Sequence, residues 1–190
     1  MIISLSGAHG SGKSTIAQKL AEELNWPRYN IGGLRRAAAQ KRGLTLAEYN
    51  KLGETDPQTD REVDEYQKEL SRTQDNFIIE GRASWYFIPR SLKIYLDVTP
   101  DVGAERIWQH LQTKTDRANE DKNMQTIEDV KASMAHRLES DNIRYQKYYN
   151  LDVYNRAHYD FYLDTTNLTP EEVFDQVYTY VKTNIDKGKN

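Results

Sequence analysis

Gly7-Ala8-His9-Gly10-Ser11-Gly12-Lys13-Ser14 fits the pattern G-x-x-x-x-G-K-[ST], and its flanks give that pattern meaning. Ile2 to Ser6, just before it, is a short apolar run ending in glycine, as a buried strand reads. Just after it, Ile16, Ala17, Leu20, Ala21 and Leu24 recur at helical spacing. A strand, a glycine-rich turn and a helix make a phosphate loop. Glycines let the backbone fold into a nest of N–H groups aimed at phosphate oxygens, and the helix points its positive dipole end at the same anion. Gly7, Ala8, His9, Gly10, Ser11, Gly12, Lys13, Ser14 and Thr15 are therefore the expected ATP-binding stretch. Lys13 should reach the β- and γ-phosphates, and Ser14 should ligate Mg²⁺. His9 reads as a tolerated variable position within the loop.

Working outward, Asn25-Trp26-Pro27 ends the first helix, and Arg28 to Asn30 suggests a short second strand. Residues 31–73 read as helices over about Gly33–Lys41, Leu46–Gly53 and Pro57–Thr73, with Pro57 in the first turn of the last. Asn76–Glu80 and Lys93–Val98 read as buried strands, Pro100–Gln112 as a helix, Thr126–Asn150 as a long helix, Tyr159–Leu163 as the last strand and Pro170–Asn184 as the last helix. Between them, 113–125 (TKTDRANEDKNMQ) has only Ala118 and Met124 as apolar residues, as a moving lid tip requires. This alternation predicts an α/β fold: a five-stranded parallel sheet flanked by helices, in a single domain over 1–190. Its core would be 1–30, 74–112 and 151–190, with a helical lobe at about 31–73 and a further segment at about 113–150.

The 190 residues suffice to bury a core without cross-links, and there are no cysteines to supply disulfides, thiolate ligands or a thiol nucleophile. Twenty-six Lys and Arg against 29 Asp and Glu leave a formal charge of -3, which argues against a nucleic-acid polymer as partner. No run approaches the roughly 18 to 20 apolar residues of a membrane span. Met1-Ile2-Ile3-Ser4-Leu5 lacks the basic start of a signal peptide, so a cytoplasmic monomer without a membrane partner is expected.

A short chain with its phosphate loop so near the N-terminus points to a small-molecule kinase. Base-reading GTPase motifs are only approached, in Asn50-Lys51-Leu52-Gly53 and Thr113-Lys114-Thr115-Asp116. Glu80-Gly81-Arg82 adds support. Glu80 would end a strand beside the phosphate-loop strand and order Mg²⁺-bound water, and Arg82 would stand over the cleft between donor and acceptor.

These residues, with Ile31-Gly32-Gly33-Leu34-Arg35-Arg36, Glu54-Thr55-Asp56-Pro57-Gln58-Thr59-Asp60-Arg61-Glu62-Val63-Asp64, Ala104-Glu105-Arg106-Ile107 and Arg137-Leu138-Glu139-Ser140-Asp141-Asn142-Ile143-Arg144-Tyr145, carry a resemblance. So does Tyr159-Asp160-Phe161-Tyr162-Leu163-Asp164-Thr165-Thr166. Over nearly its whole length the chain resembles the cytidylate kinases of the compact archaeal type, within the nucleoside monophosphate kinases. The resemblance implies ATP as phosphoryl donor, Mg²⁺, and CMP or dCMP as acceptor. It implies that Arg36 and Arg82 hold the acceptor phosphate, and that Asp60 faces the acceptor base or ribose. Arg106 would pack near the donor adenine, beside a loop after Asp164 that cradles the base. Arg137 and Arg144 would be lid arginines closing on the phosphates, with Asp141 between them. Lys13 is a departure from members that carry threonine there. The acceptor region also lacks the insert by which the larger bacterial enzymes help read cytosine.

Positions 137, 141 and 144 share one helix face whatever the family, so a carboxylate can hold two guanidiniums toward an anion. Arg35, adjacent to Arg36 and pointing elsewhere, reads as a surface residue. Tyr145, Tyr148, Tyr149, Tyr154, Tyr159 and Tyr162 read chiefly as packing residues, and Trp85 either packs or borders the acceptor base. Phosphoryl transfer would rest on positioning and charge neutralisation by Lys13, Arg82, Arg137 and Arg144. Two other readings remain at this point: a P-loop kinase for another acceptor (a different nucleotide, a sugar acid or shikimate), and an ATP-binding regulatory protein without turnover. The arginines argue against the second.

Overall fold

A computed structural model describes residues 1–113 and 124–187. Its sheet is built around β1 (Ile2–Gly7), which is buried at every position. A strand covered on both faces needs no polar side, so its sequence does not alternate. Among the described residues, β2 (Arg28–Asn30), β3 (Phe77–Glu80), β4 (Leu92–Asp97) and β5 (Phe161–Asp164) complete a five-stranded sheet in the order β2-β3-β1-β4-β5. Every pairing is parallel; Ile3 lies opposite Ile78 on one side and Leu92 on the other. The chain adds strands on one side of β1 and then on the other. The C-terminal end of β1 thus opens where the order reverses, the usual place for a ligand crevice in such sheets.

The helices are α1 (Lys13–Leu24), α2 (Ile31–Lys41), α3 (Leu46–Gly53), α4 (Gln58–Thr73), α5 (Ser84–Phe87), α6 (Pro100–Thr113), α7 (Ile127–Tyr149) and α8 (Pro170–Lys187). Strand side chains alternate between two cores. Ile3, Leu5 and Ile78 meet Ile16, Ala17 and Leu20 of α1 and Val173, Val177 and Val181 of α8. Ile2, Phe77 and Ile79 meet Val63 and Leu70 of α4 with Trp85, Ile88, Leu151 and Val153. Each large apolar side chain buried this way contributes about 1.5–3 kcal/mol. A smaller cluster of Ala104, Ile107 and Val130 joins α6 to α7.

Local chemistry sets the helix starts. Asn30 accepts from the Gly33 N–H, so α2 begins at Ile31, two residues before the expected Gly33. Thr45 with Glu48, and Thr126 with Asp129, form reciprocal caps for α3 and α7. Pro57 stands at the cap of α4 rather than inside its first turn. The last strand starts at Phe161 because residues Arg156–His158 form a tight 3-10 turn ahead of it. Tyr145, Tyr149, Tyr154 and Tyr159 pack on the core that contains Trp85. Trp85 itself stacks on His158 with ring centres 4.5 Å apart, which supports its packing role. Of the expected lid tip at 113–125, residues 114–123 lie outside the described residues. No described helix is long and apolar enough to cross a membrane.

Candidate active site

The loop between β1 and α1 is fastened from below. The Ala8 N–H donates to the Leu96 carbonyl at 3.0 Å. A Cβ on Gly10 would lie 2.2 Å from the Gly103 carbonyl oxygen, and one on Gly103 would lie 2.5 Å from the His9 carbonyl oxygen. The loop therefore rests on α6 at a contact that only glycines permit. Lys13 Nζ bends back over it, donating to the carbonyls of Gly7 at 2.9 Å and Ala8 at 2.6 Å. Ser11 Oγ donates to the Ala8 carbonyl at 2.9 Å. Thr15 is exposed on the first turn of α1.

Glu80 ends β3 beside β1, and its Oε2 accepts from Ser14 Oγ at 2.6 Å. Its Oε1 is buried without a hydrogen-bond partner. Arg28 braces the pair, donating to the Ser14 carbonyl at 2.9 Å while its Nε lies 3.6 Å from Glu80 Oε1. A hydroxyl and an open carboxylate oxygen are hard donors of the kind Mg²⁺ takes. Among the described residues no three His, Asp or Glu groups could hold a metal by themselves. Mg²⁺ at Ser14 and Glu80 would thus share its shell with phosphate oxygens and water.

From the exit of β3 an alternating chain of charge crosses the cleft. Arg82 Nε donates to Asp141 of α7, and Arg82 Nη1 donates to the Gly7 carbonyl at 3.1 Å. Its Nη2 faces the His9 ring, 2.6 Å from Nε2 and 3.1 Å from Nδ1. Asp141 also accepts from Arg144, and from the Tyr154 hydroxyl at 3.2 Å. Arg144 donates its other terminal nitrogen to Asp60 of α4, which accepts from Arg35 of α2 at 2.7 Å. Arg35 Nε continues to Asn50 of α3 at 2.8 Å. This network joins the phosphate loop to α7, α4, α2 and α3. Burial alone would push the Asp141 carboxyl up; the guanidiniums of Arg82, Arg144 and Arg137 outweigh it and hold the group below the usual carboxylate range.

The geometry changes three expectations. Arg35 is not a surface residue: its side chain is 13% exposed, because the packing of α2 on α3 and α4 turns it inward onto Asp60. Asp141 bonds to Arg82 as well as Arg144, with the Arg137 charge also acting on it. His9 is buried against Arg82 rather than being a spectator of the loop. Arg144 is 1% exposed, and Asp60 is buried against it. Gly53, ending α3, gives Arg144 its passage; a Cβ there would lie 2.9 Å from Arg144 Cδ. Arg137, one turn before Asp141, is half-buried, as is Arg36 on α2 beside Gly32. Arg106 of α6 donates to Thr165 Oγ1 at 3.1 Å and to the carbonyls of Thr165 at 2.8 Å and Leu168 at 3.3 Å. It thereby shapes the loop after Asp164, which touches the phosphate loop where Thr165 Oγ1 meets the Ser11 carbonyl at 3.4 Å.

The sequence and the fold have known relatives. The cytidylate kinase of Methanobrevibacter smithii is 33% identical over 182 residues, covering 96% of this chain and 99% of that protein. The cytidylate kinase of Natronomonas pharaonis is 38% identical over 175 residues, covering 91% and 85%. The chain belongs to the cytidylate kinase family. As a member it is a nucleoside monophosphate kinase on the P-loop scaffold. The family described as AAA domain matches residues 6–128. Among solved structures, shikimate kinase of Acinetobacter baumannii in complex with shikimate superposes with a TM-score of 0.60 at 16% identity, covering 96% of this chain and 93% of that one. Shikimate kinase of Bacteroides thetaiotaomicron gives 0.62, also at 16%, covering 96% and 98%. At such identity the likeness concerns the fold alone.

Proposed function

We propose that the protein transfers the γ-phosphoryl group of ATP to the 5′-phosphate of CMP or dCMP, giving ADP and CDP or dCDP. The observation that carries this is the position of Arg82. It is anchored on the phosphate loop through the Gly7 carbonyl and on α7 through Asp141, between the donor loop and the helical lobe. The substrate class comes from the cytidylate kinase relatives. Residues of about 31–73 serve as the acceptor-binding lobe and about 113–150 as the lid.

An acceptor phosphate is already an oxyanion, so the reaction asks for positioning and charge neutralisation rather than a general base. Residues Gly7 to Thr15 cradle the donor phosphates. Lys13 exchanges the carbonyls of Gly7 and Ala8 for the β- and γ-phosphate oxygens. Ser14 and Glu80 would hold Mg²⁺, which when bound supplies further neutralisation of the phosphate charge. Arg36 and Arg82 hold the acceptor phosphate while its oxygen attacks the γ-phosphorus in line with the departing ADP. Arg137 closes on the transferring group from α7. Asp60, Asp141 and Arg144 line the acceptor side, and Arg106 holds the 165–168 loop against the donor base. Closure over this set excludes water, which would otherwise take the phosphoryl group.

A coupled assay of ADP release with a panel of nucleoside monophosphates, shikimate, sugar acids and no acceptor tests the reading. ADP release that depends on CMP and dCMP is the expected result; the same rate with every acceptor, or none, would remove it.

A further inference from the structure

We infer that His9 is a positioning residue for phosphoryl transfer: its imidazole holds the Arg82 guanidinium over the phosphate loop. This rests on the proposed role of Arg82 at the acceptor phosphate. Every nitrogen of Arg82 is engaged. Nε is bound to Asp141, Nη1 to the Gly7 carbonyl at 3.1 Å, and Nη2 to the His9 ring at 2.6 Å from Nε2. A guanidinium only donates, so the 2.6 Å contact is a hydrogen bond in the tautomer that carries the ring proton on Nδ1 and leaves Nε2 to accept. Two of the three anchors therefore belong to the loop that holds the donor phosphates, and one belongs to α7.

That division has a mechanical consequence. If α7 moves during the cycle, the Asp141 anchor moves with it. Gly7 and His9 do not, because the loop is seated on α6 through the contact between His9 and Gly103. A single carbonyl would leave the guanidinium free to swing about Nη1. The second contact, through the ring, fixes its plane. His9 thus keeps Arg82 registered to the donor while the acceptor side opens and closes. The ring is 9% exposed, buried where it meets Arg82.

The test compares His9→Leu, which keeps bulk without an acceptor, and His9→Gln, whose Oε1 can take the place of Nε2, each alone and with Arg82→Ala. His9→Leu should lower kcat with CMP by about 10- to 100-fold, as misplacement of a positioned group does, with the ATP KM changed less than about threefold. His9→Gln should recover most of that loss. In the Arg82→Ala background, His9→Leu should cost less than about twofold more, because its effect passes through Arg82. Fully multiplicative losses, a defect confined to the ATP KM, or a wild-type kcat in His9→Leu would each overturn the proposal. A second readout is independent of turnover. The ¹⁵N–¹H signals of the Arg82 side chain should exchange slowly in wild type and His9→Gln and fast in His9→Leu. If CMP drives no turnover, the proposed acceptor fails, yet this measurement still decides whether His9 holds Arg82. Unchanged exchange in His9→Leu would refute it.

Discussion

Arg144→Ala should weaken the fold as well as the site. Arg144 is 1% exposed and donates to two buried carboxylates, Asp60 and Asp141. Removing one member of a buried ion pair typically costs about 3–5 kcal/mol, because the partner stays buried and less compensated. Here each carboxylate keeps another cation: Asp60 retains Arg35 at 2.7 Å, and Asp141 retains Arg82. The loss should therefore lie near the lower end, about 3 kcal/mol. For a chain of this size that corresponds to a fall in Tm of roughly 6–12 °C. Arg137→Ala, two turns earlier on α7 and half-buried, should cost less stability than Arg144→Ala while still impairing turnover. Urea unfolding followed by circular dichroism separates the two, provided the slope with denaturant is unchanged. A double variant, Asp60→Asn with Arg144→Met, should recover part of the loss by removing charge from both sides. A wild-type midpoint for Arg144→Ala would refute the view that this network braces α4 against α7.

Three further outcomes follow from other parts of the molecule. Lys13→Ala should cut kcat at least about 100-fold, since the ammonium that bends over the loop onto the Gly7 and Ala8 carbonyls is the one placed to meet the donor phosphates; near-normal turnover would reject its role. Burial pushes the Asp64 carboxyl from 3.8 up to about 7, against the pull of the Tyr149 hydroxyl bonded to it. The folded chain thus keeps a proton there, between about pH 4 and 7, that the unfolded chain has lost, so stability declines as pH rises through that window. Asp64→Asn should remove a decline on the order of 4 kcal/mol, gaining stability over wild type at pH 8 but not at pH 4; parallel curves in urea titrations would contradict this. Gly103→Ala should destabilise by about 1–3 kcal/mol and raise the ATP KM, although alanine favours helices, because its Cβ would press 2.5 Å from the His9 carbonyl oxygen; a stabilised variant with normal KM would show that the loop does not rest on α6.

The sheet was legible because β1 and β3 are short apolar runs, and because Gly7 to Ser14 can join only a strand to a helix. The four-residue α5 and the turn at Arg156–His158 were not, since each spans about one helical turn and is too short to show a repeat. Within the site, Lys13, Ser14, Glu80 and Arg106 could be placed from chain position and resemblance. Arg35 could not: adjacency to Arg36 says that two side chains diverge, and only the packing of α2 decides which one turns inward. Asp141 was expected beside Arg137 from helix spacing, but the exit of β3 delivers Arg82 to it from across the cleft, a contact 59 residues apart in sequence. His9 gave no signal because nothing local distinguishes a loop side chain that faces solvent from one that meets a distant arginine.

The central claim, that this cleft joins a donor triphosphate to a pyrimidine monophosphate, is tested most directly by following ATP and CMP together by ³¹P NMR in the presence of Mg²⁺. The account predicts that the two phosphorus signals of CDP grow in step with loss of the ATP γ-signal, with little inorganic phosphate. Consumption of ATP to inorganic phosphate without CDP, or no consumption at all, would contradict it.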